Sequence, residues 1–179
     1  YDSTLRDGAQ AQGISYSVED KLKIVEKLDA LGVSYIEAGN PGSNPKDLEF
    51  FQRVGELQLK HSKIIAFGST RKVGIKVEDD NTVKSLLTAH TPAIAIFGKR
   101  WDYQITDILR TTLDENLAMI GDTIRFFKDQ GKEVIFDAEH FFDGYTAKPD
   151  YALASLAAAA QAGADCLALC DTNGGTFPD

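Results

Sequence analysis

"QGKEVIFDAEHFFDG", residues 130–144, runs from a glycine that stops a helix, through a short apolar stretch, into a cluster of acids, rings and a histidine. The stretch is too short for a helix and too continuously apolar for a half-exposed strand, so it reads as a strand of a parallel sheet covered on both faces. The same phrase of helix, glycine and strand recurs at "LGVSYIE" (31–37) and "AGADCLAL" (162–169). Counting outward, the sequence predicts strands over 33–39, 63–68, 93–98, 133–139 and 165–171, with "YDSTL" (1–5) as a further strand in front of them. Helices are predicted between them. "SVEDKLKIVEKLDALG" (17–32) carries Ser17 as N-cap, Asp20 in the capping-box position and Gly32 as the stop. Others are expected over 45–56, 80–90, 113–130 and 149–162, with Pro45 and Pro149 at helix starts, where proline is tolerated.

Six strands alternating with five helices imply a parallel sheet, doubly wound or closed into a barrel. A doubly wound nucleotide-binding fold would show a glycine-rich phosphate turn after its first strand, and "RDGAQAQG" (6–13) is not one. Each strand is followed by a polar cluster instead: "RDGAQ", "EAGNPGSN", "GSTR", "GKRWD", "DAEHFFDG" and "DTNGG". Functional groups gathered after every strand are the mark of a (β/α)8 TIM barrel. Such barrels take about 250 residues. Residues 1–179 are therefore expected to hold about the first six βα units, as the N-terminal part of a catalytic barrel domain. The opening in mid-strand, without methionine, predicts a few further residues upstream. By itself such an open barrel would be inert, weak in metal binding and prone to aggregate through its sheet edges.

The net charge of -8 lacks the basic stripe of a nucleic-acid binder. No apolar run approaches the roughly 18 residues of a membrane span. Cys166 and Cys170 lie four apart, roughly 13 Å along a strand, beyond disulfide reach, and read as reduced buried thiols of a cytosolic protein.

Asp7 suits a hard divalent cation and Arg6 a carboxylate or oxyanion, though a plain salt bridge at a strand end would also account for the pair. Glu37 ends an apolar run, and a buried acid needs a partner: a metal shell, Arg6 or another ion pair. Asp137 and Glu139 share a strand face. A carboxylate in a barrel mouth can exchange protons near neutrality, which suits Glu139, while Asp137 fits a loop cap and His140 a hydrogen-bonding support. Thr172 offers a hydroxyl at the last strand's end, where Gly174 and Gly175 permit close backbone approach. The acidic "EDD" at 78–80 reads as a solvated helix start. Lys99 is the candidate nucleophile of a rival Schiff-base aldolase reading. A non-catalytic binding barrel is the third reading.

Six phrases in order, "DSTLRDGAQ", "IEAGNPGSNPKD", "FGSTRK", "IFGKRWD", "DAEHFFDGY" and "LCDTNGGT", resemble the metal-dependent acyl-CoA-condensing barrels. These are the isopropylmalate, homocitrate and citramalate synthases, related to the hydroxymethylglutaryl-CoA lyases; "PGSNPKD", "IFGKRWD" and "AEHFFDGY" are most similar to the citramalate branch. The resemblance implies a Claisen-type condensation of acetyl-CoA with a 2-keto acid, pyruvate before 2-ketoisovalerate, in isoleucine or leucine biosynthesis. It implies a divalent metal (Mn, Mg, Zn or Co) on Asp7 and a keto acid held by Arg6, Glu37 and Thr172. Arg6 would also stabilise the enolate or alkoxide, and Glu139 would be the acid/base residue. The family's H-x-H metal ligands fall on a seventh strand, beyond residue 179; His61, His90 and His140 do not have that spacing. A cytoplasmic homodimer, bound to neither nucleic acid nor membrane, completes what the resemblance implies.

Overall fold

Five of the six expected strands form: β1 (Tyr35–Gly39), β2 (Lys63–Ser69), β3 (Ala93–Phe97), β4 (Glu133–Ala138) and β5 (Cys166–Leu169). They follow one another as neighbours, β1-β2-β3-β4-β5, in one sheet of the computed structural model, which describes residues 1–99 and 101–177. Arg100 of the "GKRWD" cluster lies outside the described residues. The expected helices also form: α1 (Val18–Leu31), α2 (Pro45–Val54), α3 (Asn81–Leu87), α4 (Leu113–Asp129) and α6 (Pro149–Gln161). An unexpected α5 (Phe141–Ala147) lies within the cluster after β4. No helix among the described residues is long and apolar enough to cross a membrane.

"YDSTL" is not a strand. The Asp2 carboxylate accepts from the Thr4 N–H (3.0 Å) and the Thr4 hydroxyl (3.1 Å), and the Ser3 carbonyl accepts from the N–H groups of Arg6 and Gly8, both at 3.1 Å. An aspartate that satisfies the chain locally competes with a ladder. What survives is a single parallel bridge between Asp2 and Ile36, with two backbone bonds of 2.9 Å. The turn buries Leu5 and delivers Arg6 and Asp7 directly after it.

Two compact units divide the chain. The first comprises Tyr1–Gly68 with Lys84–Ala95. Here β1 pairs in parallel with β2, and the register slips between Glu37 and Gly39, so that Ala38 is the extra residue of a bulge at the strand's end. Ser17 and Asp20 close the capping box of α1, and Gly32 ends it at φ 87°, a left-handed conformation that favours glycine. Gly68 is needed for a different reason: a Cβ there would stand 2.6 Å from the Leu86 side chain, which is fully buried.

Asp29, near the end of α1, fastens the loop before β2. Its carboxylate accepts from the N–H groups of Lys60, His61 and Ser62 at 2.8–3.1 Å. Those bonds, led by Lys60's, hold its pKa down at about 2. A depressed carboxylate contributes its stability above the unfolded-state value and loses it as the pH falls through the folded-state value. The difference in urea midpoint between the wild type and Asp29→Asn is therefore expected to be full at neutral pH and to shrink between about pH 4 and pH 2. A difference that holds constant down to pH 2 would show that the charge on Asp29 is not what fastens the loop.

The second unit comprises Ser69–Val83 with Ile96–Asp179. Here β4 pairs in parallel with β5, from Ile135 with Cys166 to Ala138 with Leu169. The apolar stripe of α4 buries Met119, Ile120, Ile124 and Phe127. After β4, His140 takes a left-handed conformation (φ 54°) and turns the chain into α5, where Phe141 packs against Ala138 and Ala152. That contact is why a stretch rich in polar residues becomes a helix. The cysteines are free as expected but not buried: Cys166 is exposed and Cys170 half-buried. Within "EDD", Glu78 and Asp79 are exposed as expected, whereas Asp80 is buried. Burial raises its pKa, and N–H donors from Lys72, Thr82 and Val83 outweigh that, so its carboxyl lies below the usual range.

Candidate active site

In the first unit, the turn after Leu5 and the bulged end of β1 place Arg6, Asp7 and Glu37 together. Arg6 Nε donates to Glu37 Oε1 at 2.5 Å, and Arg6 Nη1 lies 3.1 Å from Asp7 Oδ1. The guanidinium lies over the Phe67 ring, 3.9 Å from its centroid. Glu37 is 1% exposed and also accepts from the Tyr1 hydroxyl. A carboxylate this buried requires a cation, and Arg6 supplies it. Of the openings the sequence left for Glu37, the structure realises the bond to Arg6. The pairing orients the Arg6 fork and leaves Nη2 without a hydrogen-bond partner among the described residues. That nitrogen can donate to an anionic oxygen. The Asp7 side chain is 64% exposed, so its carboxylate faces solvent.

In the second unit, Glu139 lies just past β4. Its Oε2 accepts from Lys99 Nζ at 2.7 Å, and Lys99 follows β3 by two residues. Asp137, two residues before Glu139, accepts through Oδ1 from the thiol of Cys170, just past β5, at 3.1 Å. The Lys99 nitrogen is thus engaged as a donor to Glu139, whereas a Schiff-base nucleophile presents its nitrogen to the substrate carbonyl. Thr172 Oγ1 accepts from the His140 N–H at 2.8 Å, which leaves the hydroxyl hydrogen to be donated elsewhere. Asp143 accepts from the His140 ring (3.1 Å) and from Asn173 (2.9 Å). His140 first, then Asn173, holds the Asp143 carboxyl below its usual range. His140 thus acts as the expected hydrogen-bonding support, tying the end of β4 to the end of β5.

Beside Lys99 lies a cavity of about 420 Å³ lined mainly by Phe97, Met119, Leu109, Val73 and Ile75. Arg71 of "GSTR" contributes to its wall, but its guanidinium is spent on Glu115 (2.7 Å) and Asp122 (2.9 Å), which fasten it to α4. Burial works against its charge, and the two carboxylates outweigh burial, so Arg71 stays above its usual pKa.

A divalent metal finds part of its ligand set here. Asp7 offers one exposed hard oxygen donor, as such a cation requires. Glu37 does not fit as a ligand, because Arg6 and Tyr1 occupy it. No group of three His, Cys, Asp or Glu side chains that could hold a metal occurs among the described residues.

Sequence reasoning missed Tyr1, Phe67, Asn116 and Asp143. A signal existed for Asn116: with Met119, Ile120, Thr123, Ile124 and Phe127 it occupies the buried stripe of α4, and a polar residue on such a stripe has a job. The other three depend on tertiary approach.

The HMGL-like family model matches residues 1–179. The chain is 56% identical over 178 residues to an (R)-citramalate synthase of Aquifex aeolicus (strain VF5), covering 99% of this chain and 34% of that protein. It is equally similar, at 56%, to the (R)-citramalate synthase of Synechocystis sp. (strain ATCC 27184 / PCC 6803 / Kazusa), covering 99% of this chain and 32% of that one. The chain thus spans about a third of the length of these curated relatives. Hydroxymethylglutaryl-CoA lyase from Pseudomonas aeruginosa superimposes with a TM-score of 0.71 at 20% identity, over 98% of this chain and 58% of that one. The fold is thereby that of a partial TIM barrel.

Proposed function

The chain belongs to the HMGL-like family, and on that premise we propose that the intact protein carrying it is an acyltransferase that condenses acetyl-CoA with pyruvate. The products are citramalate and free coenzyme A, with one water consumed. The observation that carries this reading is 56% identity, along 99% of the chain, to proteins named (R)-citramalate synthase. The site residues support it.

Arg6, oriented by Glu37, holds the anionic oxygens of the keto acid through its unpartnered Nη2 and stabilises the alkoxide oxygen as it forms. Thr172 donates its hydroxyl to the keto acid carboxylate. Glu139 moves the proton at the methyl carbon of acetyl-CoA, and the resulting carbon nucleophile attacks the keto carbon; water then cleaves the thioester. The cavity beside Lys99 falls within the roughly 300–1,000 Å³ typical of ligand pockets and gives the acyl thioester an apolar approach. A divalent metal (Mn, Mg, Zn or Co), with Asp7 as one ligand, supplies polarisation of the keto carbonyl when bound. In this reading the chain is the N-terminal part of the catalytic domain, and the whole protein works as a cytoplasmic homodimer in isoleucine biosynthesis.

Thiol release from acetyl-CoA by the intact protein, with pyruvate and with 2-ketoisovalerate, tests the reading. Pyruvate is expected to give the higher kcat/KM, by about tenfold to a few hundredfold, because a hydrophobic pocket discriminates by one to a few kcal/mol per methyl-sized difference. A higher kcat/KM with 2-ketoisovalerate would make the protein an isopropylmalate synthase instead.

A further inference from the structure

Glu139 does not stand alone at the end of β4, and its companion is built into the fold with some care. Gly98 sits so close to β4 that a Cβ there would lie 3.0 Å from the Phe136 ring and 3.2 Å from Ile120. That close approach brings the residue after it, Lys99, within 2.7 Å of the Glu139 carboxylate. The Lys99 backbone is held as well: its carbonyl accepts from Asn116 Nδ2 at 2.7 Å, and the same amide nitrogen donates to the Tyr151 hydroxyl at 2.9 Å. Tyr151 in turn donates to the Leu113 carbonyl at 3.1 Å, at the start of α4.

Asn116 is completely buried, and its Oδ1 has no hydrogen-bond partner among the described residues. A buried acceptor left unpaired costs stability, so a side chain chosen for stability alone would not be an asparagine here. Its Nδ2 bond to Lys99 gives it a purpose. The Lys99 side chain itself is 24% exposed, and its nitrogen lies 5.5 Å from the centroid of the Phe97 ring.

We propose that Lys99 is a positioning residue for Glu139: its ammonium, seated by Gly98 and Asn116, fixes the rotamer of the carboxylate and so aims the oxygen that accepts the proton. The inference rests on the acid/base reading of Glu139 and goes beyond it by naming the group that sets the carboxylate's aim. A misplacement of about 1 Å in a reacting group can cost on the order of 10²-fold in rate, which is the scale at stake.

The test is a double-mutant cycle in the intact protein, followed by thiol release with acetyl-CoA and pyruvate. Lys99→Met is expected to lower kcat by roughly tenfold or more while leaving the KM for pyruvate nearly unchanged. Lys99→Arg, which keeps the charge, should recover part of that loss. In the Glu139→Gln background, Lys99→Met should lower kcat no further, because no carboxylate remains to be aimed. Equal fold-losses in the two backgrounds, or a Lys99→Met variant with wild-type kcat, would overturn the proposal. A wild-type kcat in Glu139→Gln itself would overturn the acid/base reading and this inference with it. Melting temperatures of each variant accompany the rates, and Lys99→Gln enters the cycle if the methionine variant melts early.

Discussion

Glu139→Gln in the intact protein is expected to lower kcat by roughly 10²- to 10⁴-fold, the range that a positioned proton-transfer group supplies. Glutamine has the same shape, and its carbonyl oxygen can still accept from Lys99, so the 2.7 Å contact survives in form. What is lost is the capacity to take and return a proton. The KM for pyruvate and the affinity for a divalent metal are expected to change little, since Arg6, Thr172 and Asp7 are assigned to those tasks. The kcat of thiol release at saturating acetyl-CoA and pyruvate, beside calorimetric titration with manganese, reads both halves. If the variant instead loses metal or keto acid affinity and recovers full kcat at saturation, Glu139 is a structural acid.

The barrel was legible because its evidence is local. Each helix stop and each strand start is written by neighbours, as at Gly32 before β1 and Gly131 before β4, and repetition settles the order of elements. Competition between local signals explains the misses. In "YDSTL" the apolar and β-branched content argues for a strand, yet Asp2 can satisfy Thr4 at short range, and the turn prevails. In "HFFDGY" the polar residues argue for a loop, yet burial of one ring, Phe141, pulls the segment into α5.

The candidate site divides in the same way. Arg6 and Asp7 are adjacent, so their association needs no tertiary information. The Glu37 carboxylate announced that it needed a partner, without saying which. Lys99 could be read only as a lone amine, because its meaning depends on Glu139, 40 residues away in sequence. Charge and apolar periodicity mark which residues need explaining. Distances decide what explains them.

That distinction governs the second large effect, at Arg6. Arg6→Met is expected to break the ion pair with a carboxylate that is 1% exposed, and removing one partner of a buried pair costs about 3–5 kcal/mol. Tyr1 still donates to Glu37, but a neutral hydroxyl cannot replace the charge. Activity is expected to fall as well, with kcat/KM down by about 10²- to 10³-fold, the scale of losing one preorganised donor to a developing oxyanion. A single variant confounds the two losses, since an unstable protein is also a poor enzyme. Arg6→Met combined with Glu37→Leu separates them, because replacing both partners of a buried ion pair with apolar side chains is often neutral or stabilising. The double variant is expected to recover the urea midpoint of the wild type while its kcat/KM stays as low as that of Arg6→Met. Recovery of activity along with stability would mean that Arg6 serves the fold alone, and the keto acid would then need another cation.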